Sequence, residues 1–324
     1  MNIARATVQG HYTVRVYRRG LGLVQEREFP NLITNAGLDH LGTRAWTGVS
    51  PSSLIYWSHL GLGTAEPDPT DIALQAPVSG GVARHGSGVT IVNSAGPGNG
   101  GTFYLEDPPR VRIVRNIQCT YPAGAIVGNL SEVGVGPGTT STAGALFSRA
   151  LILDSLGNPT TVTATAEDTV VVVYTLTIDF TGKSSGVVTV NAVNYPYVTD
   201  LSGETSHLPY QMWEVNTTAA TLNQGAPATL ATMDPWASPA TSYTWTARSA
   251  SRSLAAYTPG SYYRDSTATF PTGVGSPGIQ GVRLHMGGSS ANVGLPWRVR
   301  FDSPVPFTIN QQFSITVRST WERA

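Results

Sequence analysis

Residues 129–180 read NLSEVGVGPGTTSTAGALFSRALILDSLGNPTTVTATAEDTVVVVYTLTIDF, and the alternation inside them decides the fold class. Val133 and Val135 alternate with Gly134 and Gly136, so one side of a short strand carries β-branched side chains and the other carries none. A Gly/Thr/Ser loop follows, then LFSRALIL, then a turn at Gly157-Asn158-Pro159, where a permissive φ beside a fixed one suits a reversal. Thr161, Thr163 and Thr165 alternate with Val162, Ala164 and Ala166. After Glu167-Asp168 the run VVVVYTLTI has the pattern of a strand buried on both faces. The stretch is a four-strand all-β unit. Its fixed polar points are Glu132 and Arg149, expected to form an ion pair that holds strand register; as an exposed pair it would contribute under about 1 kcal/mol.

The rest of the chain shares that character. Its 324 residues are enough for about two domains with their own cores. Charged residues are 12%, while Gly (35) and Pro (22) are plentiful, which suits many short strands joined by tight turns. An apolar content of 40% is ample for a core. Net charge is zero, so no global field draws in nucleic acid or an anionic membrane. The longest apolar run, Val170 to Ile178, is too short to span a bilayer as a helix. No signal peptide opens the sequence, so the expected place of synthesis is a cytoplasm. The six His are scattered, without the close spacings of a local metal site, and no cofactor or metal is expected. Cys119, the single cysteine, sits in the alternating stretch NIQCTY and reads as a small buried apolar side chain.

Before the central stretch, residues 3–29 read as a hairpin turning at Gly20-Leu21-Gly22. Its Arg15, Arg18 and Arg19 read as a solvated face near Glu26 and Glu28. One short helix is expected near residues 31–42, capped by Asn31 or Thr34, with Gly37 weakening it by about 1 kcal/mol and Gly42 as its C′ residue. Gly61-x-Gly63-Thr64 resembles half of a phosphate cradle but lacks the third Gly, the Lys and a following helix. In the loop from Glu66 to Pro77, Asp68 is expected to cap one turn with Pro69 at its first position, since no calcium-loop spacing is present. Residues 79–101 are Gly-rich and suit a long loop. Arg110 to Tyr121 is a further strand, and SSGVVTVNAVNYPYV after Phe180 a further hairpin. Polar composition after Thr199 places a domain boundary at 200/201.

The second half echoes the first. Arg115, Thr120, Tyr121, Pro122 and Gly124 find Arg264, Thr269, Phe270, Pro271 and Gly273 at a constant offset of 149, read directly from the numbering. The same offset carries Leu130 onto Ile279, Val133 onto Val282 and Arg149 onto Arg298. QFSITVRSTW then takes the place of DTVVVVYTLTI. The expected architecture is therefore two tandem antiparallel β-sandwich domains, jelly-roll-like, over 1–200 and 201–324, the second a partial duplicate of the first.

No residue set has a catalytic spacing. Ser148 lacks the glycines of a nucleophile elbow. Glu132, Asp154, Glu167 and Asp168 are near in sequence, as a glycosidase pair would be, but Asp154 falls in a turn and Glu167-Asp168 at an expected solvated hairpin tip. No enzyme is expected. Trp213, Trp236, Trp245, Tyr257, Tyr262 and Tyr263 gather in the less regular second half, where aromatic faces would suit sugar rings or protein partners. The alternative is that they fill a core and an inter-subunit seam.

The motifs GNLSEVGVG and LFSRALILDSLGNPTTVT, with an Asp ahead of a V-x-V-x-Y strand, resemble a module of tailed-bacteriophage virion proteins of the tail or tail-fibre type. FPNLITNAGLDHLGT, HLGLGTAEPDPTDIALQAPV and VRFDSPVPFTINQQFSITVRSTWERA extend the resemblance over most of the chain. It implies a structural tail, baseplate or fibre-attachment component. Such a component would be a homo-oligomer, trimer or hexamer, docked to other tail proteins in the virion. The alternatives are a receptor-binding fibre protein facing the host cell surface, and a head decoration or collar protein.

Overall fold

The computed structural model describes residues 1–43, 55–84, 102–104, 110–138, 145–181, 184–201, 215–223, 245–247, 251–270, 272, 279–286, 295–306 and 310–324. Among them lie one helix and many strands, an all-β fold. The first part of the chain supplies β1 (Asn2–Arg18), β2 (Gly22–Pro30), β3 (Leu32–Ile33), α1 (Asn35–Thr43), β4 (Trp57–Gly61) and β5 (Pro77–Arg84). Next come β6 (Thr102–Tyr104), β7 (Arg110–Tyr121), β8 (Gly128–Leu130), β9 (Glu132–Gly136), β10 (Ser148–Leu151), β11 (Val162–Ala164) and β12 (Asp168–Thr181). The remainder supplies β13 (Ser184–Val190), β14 (Val193–Leu201), β15 (Val215–Asn223), β16 (Trp245–Ala247) and β17 (Ser251–Leu254). It closes with β18 (Tyr263–Phe270), β19 (Ile279–Met286), β20 (Leu295–Val305) and β21 (Phe313–Arg323).

An eight-stranded sheet runs β17-β18-β21-β1-β12-β7-β6, with β2 also on β1. Facing its β1-β12-β7 part is the sheet β3-β10-β9-β4-β5, and β8 pairs with β11 apart from both. Aromatic side chains from the two facing sheets meet between them. Tyr12 of β1 lies 4.8 Å from Tyr174 of β12 and 5.9 Å from Phe29, and Phe147 meets Tyr174 edge-on at 6.5 Å. Their polar ends find partners across the gap, as buried hydroxyls must: Tyr12 with Ser148 Oγ at 2.7 Å, and Tyr121 with Ser58 Oγ at 2.7 Å. Cys119 is buried beside them, and burial pushes its thiol pKa up, which keeps it a protonated, inert filler.

β12 alternates from Val172 onward between buried and half-buried residues. The run VVVVYTLTI is thus fully buried on one face only beyond its first three positions, rather than on both. The first hairpin forms as the pattern requires, with Gly20 and Gly22 at positive φ.

The fourth sheet, β13-β14-β20-β19-β15-β16, repeats the order of β3-β10-β9-β4-β5 in its last five strands. The repetition extends to register. Arg149 pairs with Gly134 and Ala150 with Val133; at the offset of 149, Arg298 pairs with Arg283 and Val299 with Val282. On the opposite layer, Arg115 pairs with Leu176 and Tyr121 with Val170, matched by Arg264 with Ser319 and Phe270 with Phe313. Strand pairing nevertheless does not divide at 200/201. β14, which crosses that line, carries β13 on one side and joins β20 on the other, while β21 follows it and pairs in parallel with β1. The physical reason is edge coverage: the first half of β1 would otherwise leave a row of unpaired backbone groups, and β21 supplies it.

The helix begins later than residue 31. Thr34 caps it: its hydroxyl accepts the Gly37 N–H at 2.8 Å and donates to the Leu146 carbonyl at 2.6 Å. Gly37 is there for close approach, since a Cβ would stand 2.1 Å from the Phe147 oxygen. Gly42 is inside the helix rather than C′, and a Cβ there would meet the Tyr257 ring at 2.6 Å.

Candidate functional site

The most organised polar cluster surrounds Glu132, the first residue of β9. Arg149 of β10 pairs across from Gly134, so it lies diagonally across from Glu132 on the same face of the hairpin. Glu132 is 0% and Arg149 2% exposed, so the pair is buried. Arg149 donates Nε at 3.0 Å and Nη2 at 2.9 Å to Glu132 Oε2. Its remaining N–H groups reach Asp71 Oδ2 at 2.7 Å, the Ala65 carbonyl at 2.9 Å and, more distantly, the Glu66 carbonyl at 3.5 Å. Burial works against the guanidinium charge, and the hydrogen bonds that Arg149 donates to Asp71 and Glu132 outweigh it, so its pKa is raised.

The carboxylate does more than pair with Arg149. Its Oε1 accepts the backbone N–H of Gly63 at 3.0 Å and of Ala76 at 2.7 Å, and Oε2 accepts that of Gln75 at 3.0 Å. One buried anion thus gathers both ends of the 62–76 loop. Two glycines make this possible: a Cβ on Gly61 or Gly63 would stand 2.5 or 2.4 Å from Glu132 Oε1. The Gly-x-Gly pattern that resembles a phosphate cradle in the sequence cradles a carboxylate of its own chain. Ser131 Oγ donates to the Gly63 carbonyl at 2.9 Å, and Leu62 N–H to that of Ala76 at 2.8 Å. At the loop's far side the Asn35 N–H bonds the Pro69 carbonyl at 2.7 Å, and Leu146 N–H that of Ile72 at 3.0 Å. Asp68 caps its turn as expected, accepting the Thr70 N–H at 2.8 Å.

The aromatic candidates separate. Trp213 and Trp236 lie outside the described residues. Trp245 opens β16, paired with Asn223 of β15. Tyr257, Tyr262 and Tyr263 come together near α1 and β21. Tyr257 is half-buried, stacks on Trp321 at 5.7 Å and donates to Asp39 Oδ1 at 2.6 Å; burial first and that bond second raise its pKa. Tyr262 is half-buried at positive φ, and its carbonyl accepts the Trp321 N–H at 3.0 Å. Tyr263 is more open, with the Arg318 guanidinium 3.7 Å above its ring and Arg318 itself bidentate to Asp265. These three fasten the 255–263 segment to the helix and to β21. Trp321 Nε1 also donates to the Leu38 carbonyl at 2.8 Å, and Arg323 bonds the Ile33 carbonyl and Asn35 Oδ1.

Asp168 is not at a solvated tip. It is buried, accepts both arms of Arg18 at 2.8 and 2.9 Å and caps Thr165, and the Arg18 bond foremost holds its carboxyl far below the usual range. Asp154 is where the sequence places it, in the turn before Gly157, accepting the Leu156 and Asn158 N–H groups. His59 is buried with Nε2 3.0 Å from the Gly138 carbonyl, and burial lowers its pKa. Among the described residues no group of three or more His, Cys, Asp or Glu is placed to hold a metal ion, and no helix is long and apolar enough to cross a membrane.

Sequence reasoning paired Glu132 with Arg149 but missed Asp71, Gln75 and Ala76, and it missed Asp39 and Trp321 as the fastening of Tyr257. The one signal for the former was the two glycines at a strand end with no ligand-binding context. No known protein family, curated protein or solved structure matches the chain.

Proposed function

We propose that the chain is a structural component of a tailed-phage virion, tail-associated, working by symmetric self-assembly and docking to other virion proteins. One observation carries this reading: the motifs behind the resemblance converge on scaffolding contacts. GNLSEVGVG supplies Glu132, LFSRALIL supplies Arg149, and HLGLGTAEPDPTDIALQAPV supplies the loop amides and Asp71 that surround them. FPNLITNAGLDHLGT supplies the helix and its cap, held by Trp321 and Arg323 of the C-terminal motif. Residues that would mark an enzyme by their type are used here to fix loops and strand ends. The scaffold is read as two tandem sandwiches, the second a partial duplicate of the first, on the strength of the shared registers at an offset of 149. On this reading the two similar units are joined where β21 pairs with β1, an arrangement suited to a repeated assembly.

The test is the particle. Purified tailed-phage particles are digested for quantitative mass spectrometry and labelled with gold-conjugated antibody against this chain. A few to a few tens of copies, with gold on the tail, is the expected result. Absence from washed particles, or hundreds of copies on the head, overturns the tail assignment.

A further inference from the structure

The edges of the four sheets are not alike. β2 carries Glu26, Arg27, Glu28 and Pro30, and its ladder shifts register at Val16/Tyr17. β5 starts at Pro77, ends at Arg84 and shifts against β4 between His59 and Gly61. β17 is four residues long and includes Arg252; β6 and β16 are three residues each, and β3 is two. Those are the devices by which a sheet edge is kept from pairing with another chain: charge, proline, bulge and shortness.

β13 has none of them. Its seven residues, SSGVVTV, hold no charge and no proline. It pairs with β14 from Ser184↔Thr199 to Val190↔Val193 without a register shift, closed by Asn191 and Ala192, both at positive φ. Among the described strands, β14 is its only partner. Along β13 the residues alternate: Ser185, Val187 and Thr189 are exposed, while Val188 and Val190 pack on the core. Val187 is 59% exposed. No charged residue occurs from 184 to 199, between Lys183 and Asp200, so β13 itself offers a neutral margin.

We propose that β13 is an assembly edge, and that its occupant is β13 of a second copy of this chain, paired antiparallel about a two-fold axis at Val187. This rests on the self-assembly reading above and names its surface. The strand is self-complementary in that register. Val187 faces Val187 of the second copy, Ser185 faces Thr189, Gly186 faces Val188, and Ser184 faces Val190, so all seven residues pair and no charges oppose. Exposed positions meet exposed positions, and core-facing positions meet core-facing ones. A slip of one residue would turn one copy's apolar side to solvent. The contact joins one six-stranded sheet to the next and, being isologous, closes on itself. It predicts an even number of copies, a dimer or a hexamer with two-fold axes, and not a bare trimer.

The test uses the full chain in solution, with mass from light scattering and fold from circular dichroism. Wild type is expected to have an even copy number. Val187→Lys places like charges directly opposite at the centre of the pairing, and the mass should fall to half with the spectrum unchanged. Independently, Val187→Cys treated with a short bis-maleimide should give a covalent dimer, since Cys119 is buried. A folded Val187→Lys protein of unchanged mass, a monomeric wild type at tens of micromolar, or absence of the covalent dimer overturns the proposal. Unchanged mass would still leave self-assembly through another surface, whereas absence of the chain from particles would remove the tail reading without touching this edge.

Discussion

Replacing Glu132 with Gln tests whether one buried anion organises the 62–76 loop. The substitution keeps the side-chain shape and changes only charge and donor pattern. All five contacts to the carboxylate are N–H donors: Gly63 and Ala76 on Oε1, and Gln75 with two Arg149 nitrogens on Oε2. An amide places an NH2 group against one of those sets. In the milder orientation two backbone donors face donors, and Arg149 keeps only Asp71 as a counter-charge at 2.7 Å. Breaking a buried pair from one side costs about 3–5 kcal/mol. At about 1.4 kcal/mol per factor of ten, that is a loss of two or more powers of ten in the stability of the closed loop. Hydrogen exchange read by mass spectrometry over residues 61–77 reports it directly, because the Gly63, Gln75 and Ala76 amides owe their protection to this side chain. Glu132→Gln should accelerate exchange there by about 100-fold or more, with less change in β12 or β7. A double change with Arg149→Met should not restore full protection, since one amide oxygen cannot replace both carboxylate oxygens and at least one of the three backbone amides still faces a donor. Unaltered exchange over 61–77 in a folded variant would refute the reasoning.

Other expectations follow from single contacts. Gly63→Ala should destabilise the same loop, because its Cβ would stand 2.4 Å from Glu132 Oε1; a thermal midpoint equal to wild type would contradict this. Gly37→Ala should lower stability although Ala favours helix by about 1 kcal/mol, because the Cβ would collide with the Phe147 carbonyl at 2.1 Å; a rise in midpoint would count against the packing described. Asp168 has a folded pKa below its unfolded value of 3.8. Its stabilisation is therefore present above that value and lost as pH falls through the folded pKa. Asp168→Asn should be less stable at pH 7 and show a shallower loss in acid unfolding curves below about pH 4; parallel curves would exclude the linkage. Trp321→Phe removes the bond to the Leu38 carbonyl and part of the stack on Tyr257, and should cost about 1–3 kcal/mol by denaturant titration; a change within about 0.5 kcal/mol would contradict the fastening role.

The sequence alone determined what depends on neighbours along the chain. Strand alternation, the Gly20–Gly22 and Gly157 turns, a helix cap at Asn31 or Thr34 and the partnership of Glu132 with Arg149 are short-range or periodic signals, and a strand or cap shows its pattern within a few residues. The 149-residue echo also carried register, because side-chain alternation repeats only if pairing repeats. Tertiary structure decided the rest. Whether the Glu132–Arg149 pair is exposed depends on the 62–76 loop folding over it, and nothing local to residues 132 or 149 reveals that loop. The meaning of Gly61 and Gly63 depends on a carboxylate about 70 residues away that approaches only after β9 pairs with β4. Gly42 has the sequence context of a helix terminator, but its role is close approach to the Tyr257 ring, about 215 residues further along the chain. The line at 200/201 followed composition, but hydrogen bonding follows edges, and β1 with β21 and β14 with β20 closed edges that lie far apart in the chain.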